Sequence, residues 1–132
     1  LAARLLEAGN GVSVLTGGTD VHLVLVDLRA SELDGQQAED RVHDIGITVN
    51  RNAIPFDERP PMNPSGLRIG TPALTTRGLG TDEMREIAEV ICAALSEDFE
   101  AERGSLQERT RALTEAFPLY PQISSFAGAG AL

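Results

Sequence analysis

An arginine inside an apolar run is the residue of this chain with the most chemistry to offer. In Ser65-Gly66-Leu67-Arg68-Ile69 the alternation turns Arg68 to the strand face opposite Leu67 and Ile69, and Gly66 allows a close approach. A guanidinium so placed can clamp a carboxylate through two parallel hydrogen bonds. Spacing alone admits a structural salt bridge as readily, and slightly favours it. Thr16-Gly17-Gly18-Thr19 can bring backbone N–H groups to an anion, although a Gly-Gly turn by itself is a weak signal. His22, among apolar strand residues, reads as a satisfied core or sheet-edge histidine. His43, between Asp40 and Asp44, reads as part of a solvated helix face. Cys92 borders an apolar helix stripe and reads as a buried, inert thiol. Two separated histidines and one cysteine have no metal-ligand spacing, so neither a metal site nor a catalytic residue is assigned.

Charge narrows the field further. The 132 residues carry eleven Arg, no Lys and twenty Asp plus Glu, a formal charge of −9. Such a chain is ill suited to nucleic acid or to an anionic membrane. Between Ile47 and Gly80 the balance reverses, with Arg51, Arg59, Arg68 and Arg77 against Asp57 and Glu58. That segment is either a local anion site or a surface loop with solvated arginines. Without Lys, no chemistry that needs a Schiff-base lysine can be completed by these residues alone. One cysteine excludes an intrachain disulfide. No apolar run reaches the roughly 18 residues of a membrane span, and no signal peptide is visible, so a cytoplasmic domain is the default. The chain opens at Leu1 in mid-pattern, which leads us to expect a piece of something longer.

The elements that must hold these residues follow from periodicity. Leu1 to Ala8 has helical spacing and stops at Asn10-Gly11. Val12 to Leu15 is a short apolar run. Val21 to Asp27, apolar at alternate and intervening positions except His22, predicts a strand covered on both faces or nearly so. Asp34 and Gln37 form a capping-box pattern before Ala38, Val42 and Ile45, and Gly46 closes that helix. Ile47 to Asn50 alternates as a strand. Residues 51–65 contain Pro55, Pro60, Pro61 and Pro64 and predict a long loop. Leu67 to Ile69 is a strand. Thr81 caps a helix whose stripe runs from Met84 to Leu95, and Ser105-Leu106-Gln107-Glu108 predicts the start of a final helix ended by Pro118. The sum is an α+β fold, a small sheet with helices on one face.

Three motifs then occur in order. Thr16-Gly17-Gly18-Thr19-Asp20 runs into the His22–Leu28 strand; Asn50-Arg51-Asn52-Ala53-Ile54-Pro55 follows; Ser65-Gly66-Leu67-Arg68-Ile69-Gly70-Thr71-Pro72 closes the set. Together with Phe117-Pro118-Leu119-Tyr120-Pro121, they resemble serine hydroxymethyltransferase, a fold type I pyridoxal-phosphate family. The resemblance covers nearly the whole chain but only the family's C-terminal domain. It implies a small, mostly antiparallel sheet of the aspartate-aminotransferase-like fold. Residues 1–10 would end an interdomain helix, 11–118 would form the domain, and 119–132 a loose tail.

The resemblance also implies an activity for the parent protein: interconversion of serine and tetrahydrofolate with glycine and 5,10-methylenetetrahydrofolate, in a homodimer or homotetramer. Arg68 would bind the amino-acid carboxylate. Asn52 would contact the pterin, and Pro60, Pro61 and Met62 would border the folate. Pyridoxal phosphate and its lysine would belong to the absent part, leaving this piece inactive alone. Val21 stands where many members have Asn and receives no role; Met62 stands where an aromatic is frequent. A standalone amino-acid or folate-binding module of the same fold is the alternative. A third expectation is apolar area exposed along the 1–8 and 84–95 stripes.

Overall fold

The structure, a computed structural model, describes residues 1–7, 9 and 11–120. Five helices and four strands appear among them: α1 (Ala2–Glu7), β1 (Ser13–Val14), β2 (Leu23–Asp27), α2 (Gly35–Asp44), β3 (Asn50–Asn52), β4 (Gly66–Gly70), α3 (Pro72–Thr76), α4 (Thr81–Ala94) and α5 (Phe99–Ala116). The strands form one antiparallel sheet in the order β1-β2-β4-β3. This is the expected α+β arrangement, with helices on one face. The expected tail from 121 onward lies outside the described residues.

Alternation along the two central strands builds the core. Val24 pairs with Ile69 and Val26 with Leu67, and all four are buried. Their side chains share a face because opposite residues of an antiparallel pair point the same way. On that side α1 packs against β1, α2 against β3 and β4, α4 against α1 and α2, and α5 against α4. Leu5, Ala38, Val42, Ile91, Ala94 and Leu106 complete the buried cluster. The α4 stripe is therefore used up inside this chain, which corrects the expectation of exposed apolar area there. Along α1, Ala3 and Leu6 do stand exposed among the described residues.

The predicted caps fare unevenly. Asp34 accepts from the Gln37 N–H at 2.8 Å, and Gln37 Oε1 accepts from the Asp34 N–H at 3.0 Å, a complete capping box. Gly80, one residue before the expected Thr81, caps α4, and its N–H donates to Glu83. The last helix begins at Phe99 rather than Ser105. Phe99 is buried with the Arg41 guanidinium 5.0 Å from its ring centroid, so tertiary burial and a cation–π contact extend the helix upstream through a competent capping signal. Ile47 and Val49 pack against the core, but the ladder starts only at Asn50.

The strand expected from Val21 starts at Leu23. Thr19 Oγ1 donates to Leu23 O at 2.7 Å and accepts from the Val21 N–H, which ties residues 19–22 into a turn. His22 is consequently exposed and precedes a central strand, so neither the core nor the sheet-edge reading holds for it. Nor is β2 covered on both faces. Leu23 and Leu25 remain half-buried on the side away from the helices.

At Gly66 the neighbouring strands and the start of the β3–β4 loop leave no room for a side chain. A Cβ there would sit 2.7 Å from Asn52 O, 2.7 Å from Ile54 Cγ2 and 2.9 Å from Val26 O. Two of these are backbone atoms and cannot rotate away. Gly66→Ala is expected to destabilise the domain by roughly 1–3 kcal/mol, read as a lowered urea midpoint. An unchanged midpoint would contradict this packing.

Candidate functional site

Arg68 occupies the centre of β4, with Leu25 opposite it on β2 and Asn50 opposite it on β3. Its side chain is exposed and points away from the core, as the alternation required. Gly66 and Gly70 are the β4 residues that share its face, so Arg68 is the only side chain larger than hydrogen that β4 presents there. Among the described residues it has no ion pair or hydrogen bond to an acid. Other arginines are engaged. Arg29 meets Asp27 at 2.6 Å, Arg51 meets Glu39 at 2.8 Å, and Arg109 meets Glu86 at 2.6 Å. Arg59 donates to Leu33 O, and Arg77 to Phe117 O and Thr114 O. Of the four arginines in the positive segment, only Arg68 is left uncommitted among the described residues. The salt-bridge reading that spacing favoured finds no partner here.

Asn52 pairs with Gly66 and so lies on Arg68's face, at the end of the neighbouring strand. It is half-buried, and its Nδ2 donates to Ala53 O at 2.7 Å, leaving Oδ1 available. Pro60, Pro61 and Met62 stand exposed on the loop beyond, Met62 at 77%. No hydrogen bond joins them to Asn52 or Arg68. The structure thus brings Arg68 and Asn52 onto one surface and leaves the Pro60–Met62 stretch as a separate rim.

The loop carrying that rim is well tied. Asp57 Oδ2 accepts from the Ser65 N–H at 2.8 Å and Oδ1 from the Ser65 hydroxyl at 2.7 Å; the Arg59 N–H donates at 3.1 Å and the Ile54 N–H at 3.4 Å. Asn63 Nδ2 donates to Asp34, joining the loop to the α2 cap. Burial pushes the Asp57 carboxyl up, but these hydrogen bonds outweigh it and hold the group at about 2, against an ordinary 3.8. Sequence reasoning counted Asp57 only as a charge. Its position two residues before Arg59 is the available signal, since an Asp side chain readily accepts from the N–H two residues on.

The remaining candidates stay apart from this surface. Thr16–Thr19 forms an exposed turn, with Gly17 at φ 69°. His43 is exposed as expected. Cys92 is half-buried rather than buried, and burial pushes its thiol pKa up, which keeps it protonated. A cavity of about 370 Å³ lies on the helix side, lined by Ile69, Leu74, Met84, Ile87, Ile91 and Leu113 among others. Neither Arg68 nor Asn52 borders it. The Arg68 face is an open surface, and a ligand held there would need a second wall.

A family model described as "Serine hydroxymethyltransferase" matches residues 1–91, a span that includes Asn52, Pro60 to Met62 and Arg68. The chain belongs to the serine hydroxymethyltransferase family. Proteins named serine hydroxymethyltransferase are also close in sequence. One from Kineococcus radiotolerans is 68% identical over 89% of this chain and 26% of its own length. One from Leifsonia xyli is 63% identical over 94% of this chain and 29% of its own. One from Mycobacterium avium is 59% identical over 98% and 31%. The chain therefore spans about 30% of the length of the curated serine hydroxymethyltransferases it matches. Among the described residues no helix is long and apolar enough to cross a membrane.

The depressed Asp57 carboxyl has a definite acid signature. Its stabilising effect is complete above pH 3.8 and disappears as pH falls through about 2. The stability gap between the native chain and Asp57→Asn should therefore narrow on acidification from about pH 5 to about pH 2.5. Urea midpoints at the two pH values measure it, and a constant gap would contradict the assignment.

Proposed function

We propose that this chain is the C-terminal domain of a serine hydroxymethyltransferase that moves a one-carbon unit between serine and tetrahydrofolate. In this reading Arg68 binds the carboxylate of serine or glycine. The observation that carries it is an arginine at mid-strand, flanked by glycines on its own face and without an acidic partner, inside a segment matched by the family model. Planar bidentate pairing fixes two oxygens at once, so it orients the amino acid as well as holding it. Asn52 supplies an amide beside it that can both donate and accept, as a pterin edge requires, and Pro60 to Met62 form an apolar rim for the folate.

Pyridoxal phosphate, the family's cofactor, supplies the electron sink of the reaction. The residues here do not fit a holding role for it. The sequence contains no Lys for a covalent link, and the Arg68 face offers no phosphate cradle. That cofactor would be held by the remaining length of the protein, which would also provide the second wall of the site. A cytoplasmic homodimer or homotetramer is the assembly this reading entails.

Arg68→Lys in the full-length enzyme is the direct test. Replacing the fork by a point charge should raise the KM for serine roughly ten- to hundredfold; an unchanged KM would remove Arg68 from the site. The isolated chain serves as a control against a standalone binding module. Calorimetric titration with glycine, serine or a reduced folate should give no binding tighter than about millimolar, because one wall buries too little ligand surface. Micromolar binding by the chain alone would favour the module.

A further inference from the structure

Both ends of the β3–β4 loop converge on one carboxylate. Ile54 stands two residues past β3 and Ser65 immediately precedes β4. Both donate to Asp57, and so does Arg59 between them. With the Ser65 hydroxyl added at 2.7 Å, each oxygen of Asp57 accepts twice, and every donor is an uncharged N–H or O–H. An amide in its place could accept at one atom only and would turn an NH2 toward the others.

A second observation shows that the closure is enforced. The turn from Ile54 to Asp57 is closed by an Asp57 N–H to Ile54 O bond of 3.1 Å. It places Phe56 at φ 59°, the only non-glycine residue with positive φ among those described, and the residue is 95% exposed. A bulky residue in the left-handed region, gaining no burial from it, persists only where surrounding bonds over-determine the backbone. Those bonds are the ones that meet at Asp57.

We propose that Asp57 is a positioning residue for the folate side of the site, acting by tying Ser65 to Ile54 and so fixing Asn52 and the Pro60–Met62 rim relative to β4. The inference rests on the roles proposed above for Arg68 and Asn52. It predicts an asymmetry. Arg68 sits at the centre of a strand paired on both sides, so its place is independent of the tie. Asn52 is the last residue of a three-residue strand at the sheet edge, and its place depends on how the loop leaves it.

The test uses the full-length enzyme loaded with pyridoxal phosphate. Asp57→Asn is expected to weaken binding of 5-formyltetrahydrofolate about tenfold, while the Kd for glycine stays within about twofold and kcat at saturating folate within about threefold. Hydrogen-exchange mass spectrometry should show faster exchange in peptides covering 53–65 and unchanged exchange across β2. Equal weakening of both ligands, or of neither, would overturn the proposal, because a merely structural role moves both together. Should Asp57→Asn fail to fold, Ser65→Ala removes only the hydroxyl donor and should weaken folate selectively by about threefold; no selective loss there overturns the proposal too. Asn52→Ala run in parallel separates the two levels. If it leaves folate binding unchanged, the functional reading falls and takes this inference with it. If it weakens folate while the Asp57 and Ser65 variants do not, only this inference falls.

Discussion

The pairing of β2 with β4 is the constraint on which the other features rest. Val24 against Ile69 and Val26 against Leu67 put four apolar side chains on the helix side. The residues between them, Leu25 and Arg68, must then face the other way. A slip of one residue would bury a guanidinium among aliphatic side chains and expose Leu67 and Ile69, and desolvating that charge without a partner costs several kcal/mol. The core thus selects the register, and the register orients the arginine. The core helices pack on the opposite side of the sheet, yet they decide what the Arg68 face displays.

This dependence explains what was legible in the sequence. The outward direction of Arg68 follows from alternation over three residues, and the Asp34 capping box from local hydrogen-bonding capacity, so both could be read directly. Features set by contacts distant in sequence could not. The start of α5 is governed by the burial of Phe99 and its Arg41 contact, while Ser105-Leu106-Gln107-Glu108 carries a helix-start pattern that a continuing helix simply absorbs. Leu23 and Leu25 report that both faces of β2 are apolar, but not what meets the second face. Asp57 looked like one acid among twenty, because its role exists only once the loop brings Ser65 back beside Ile54.

The distribution of ion pairs has a similar logic. Arg4, Glu89, Arg109 and Glu86 form a chain of contacts that ties α1 to α4 and α4 to α5. Half-exposed pairs of this kind add little stability individually, but they place acid beside base on the helical side. One acid, Asp27, does stand on the sheet's open face, opposite Gly66, but Arg29 pairs with it, so Arg68 keeps its charge uncommitted among the described residues. In a domain of net negative charge, this local arrangement leaves Arg68 without an acidic partner among the described residues.

The dimensions of the outer strands carry one last implication. β1 contributes two residues to the sheet and β3 three, so an incoming strand would find only a few rungs of ladder on either side. Long, unpaired edges are the usual template for strand addition and runaway polymerisation; this sheet does not offer one. Growth sideways is closed to it. The apolar surface that the central strands leave open is the broad side, around Leu23 and Leu25, and a second layer stacked there at the roughly 10 Å separation of packed sheets would lie over Arg68.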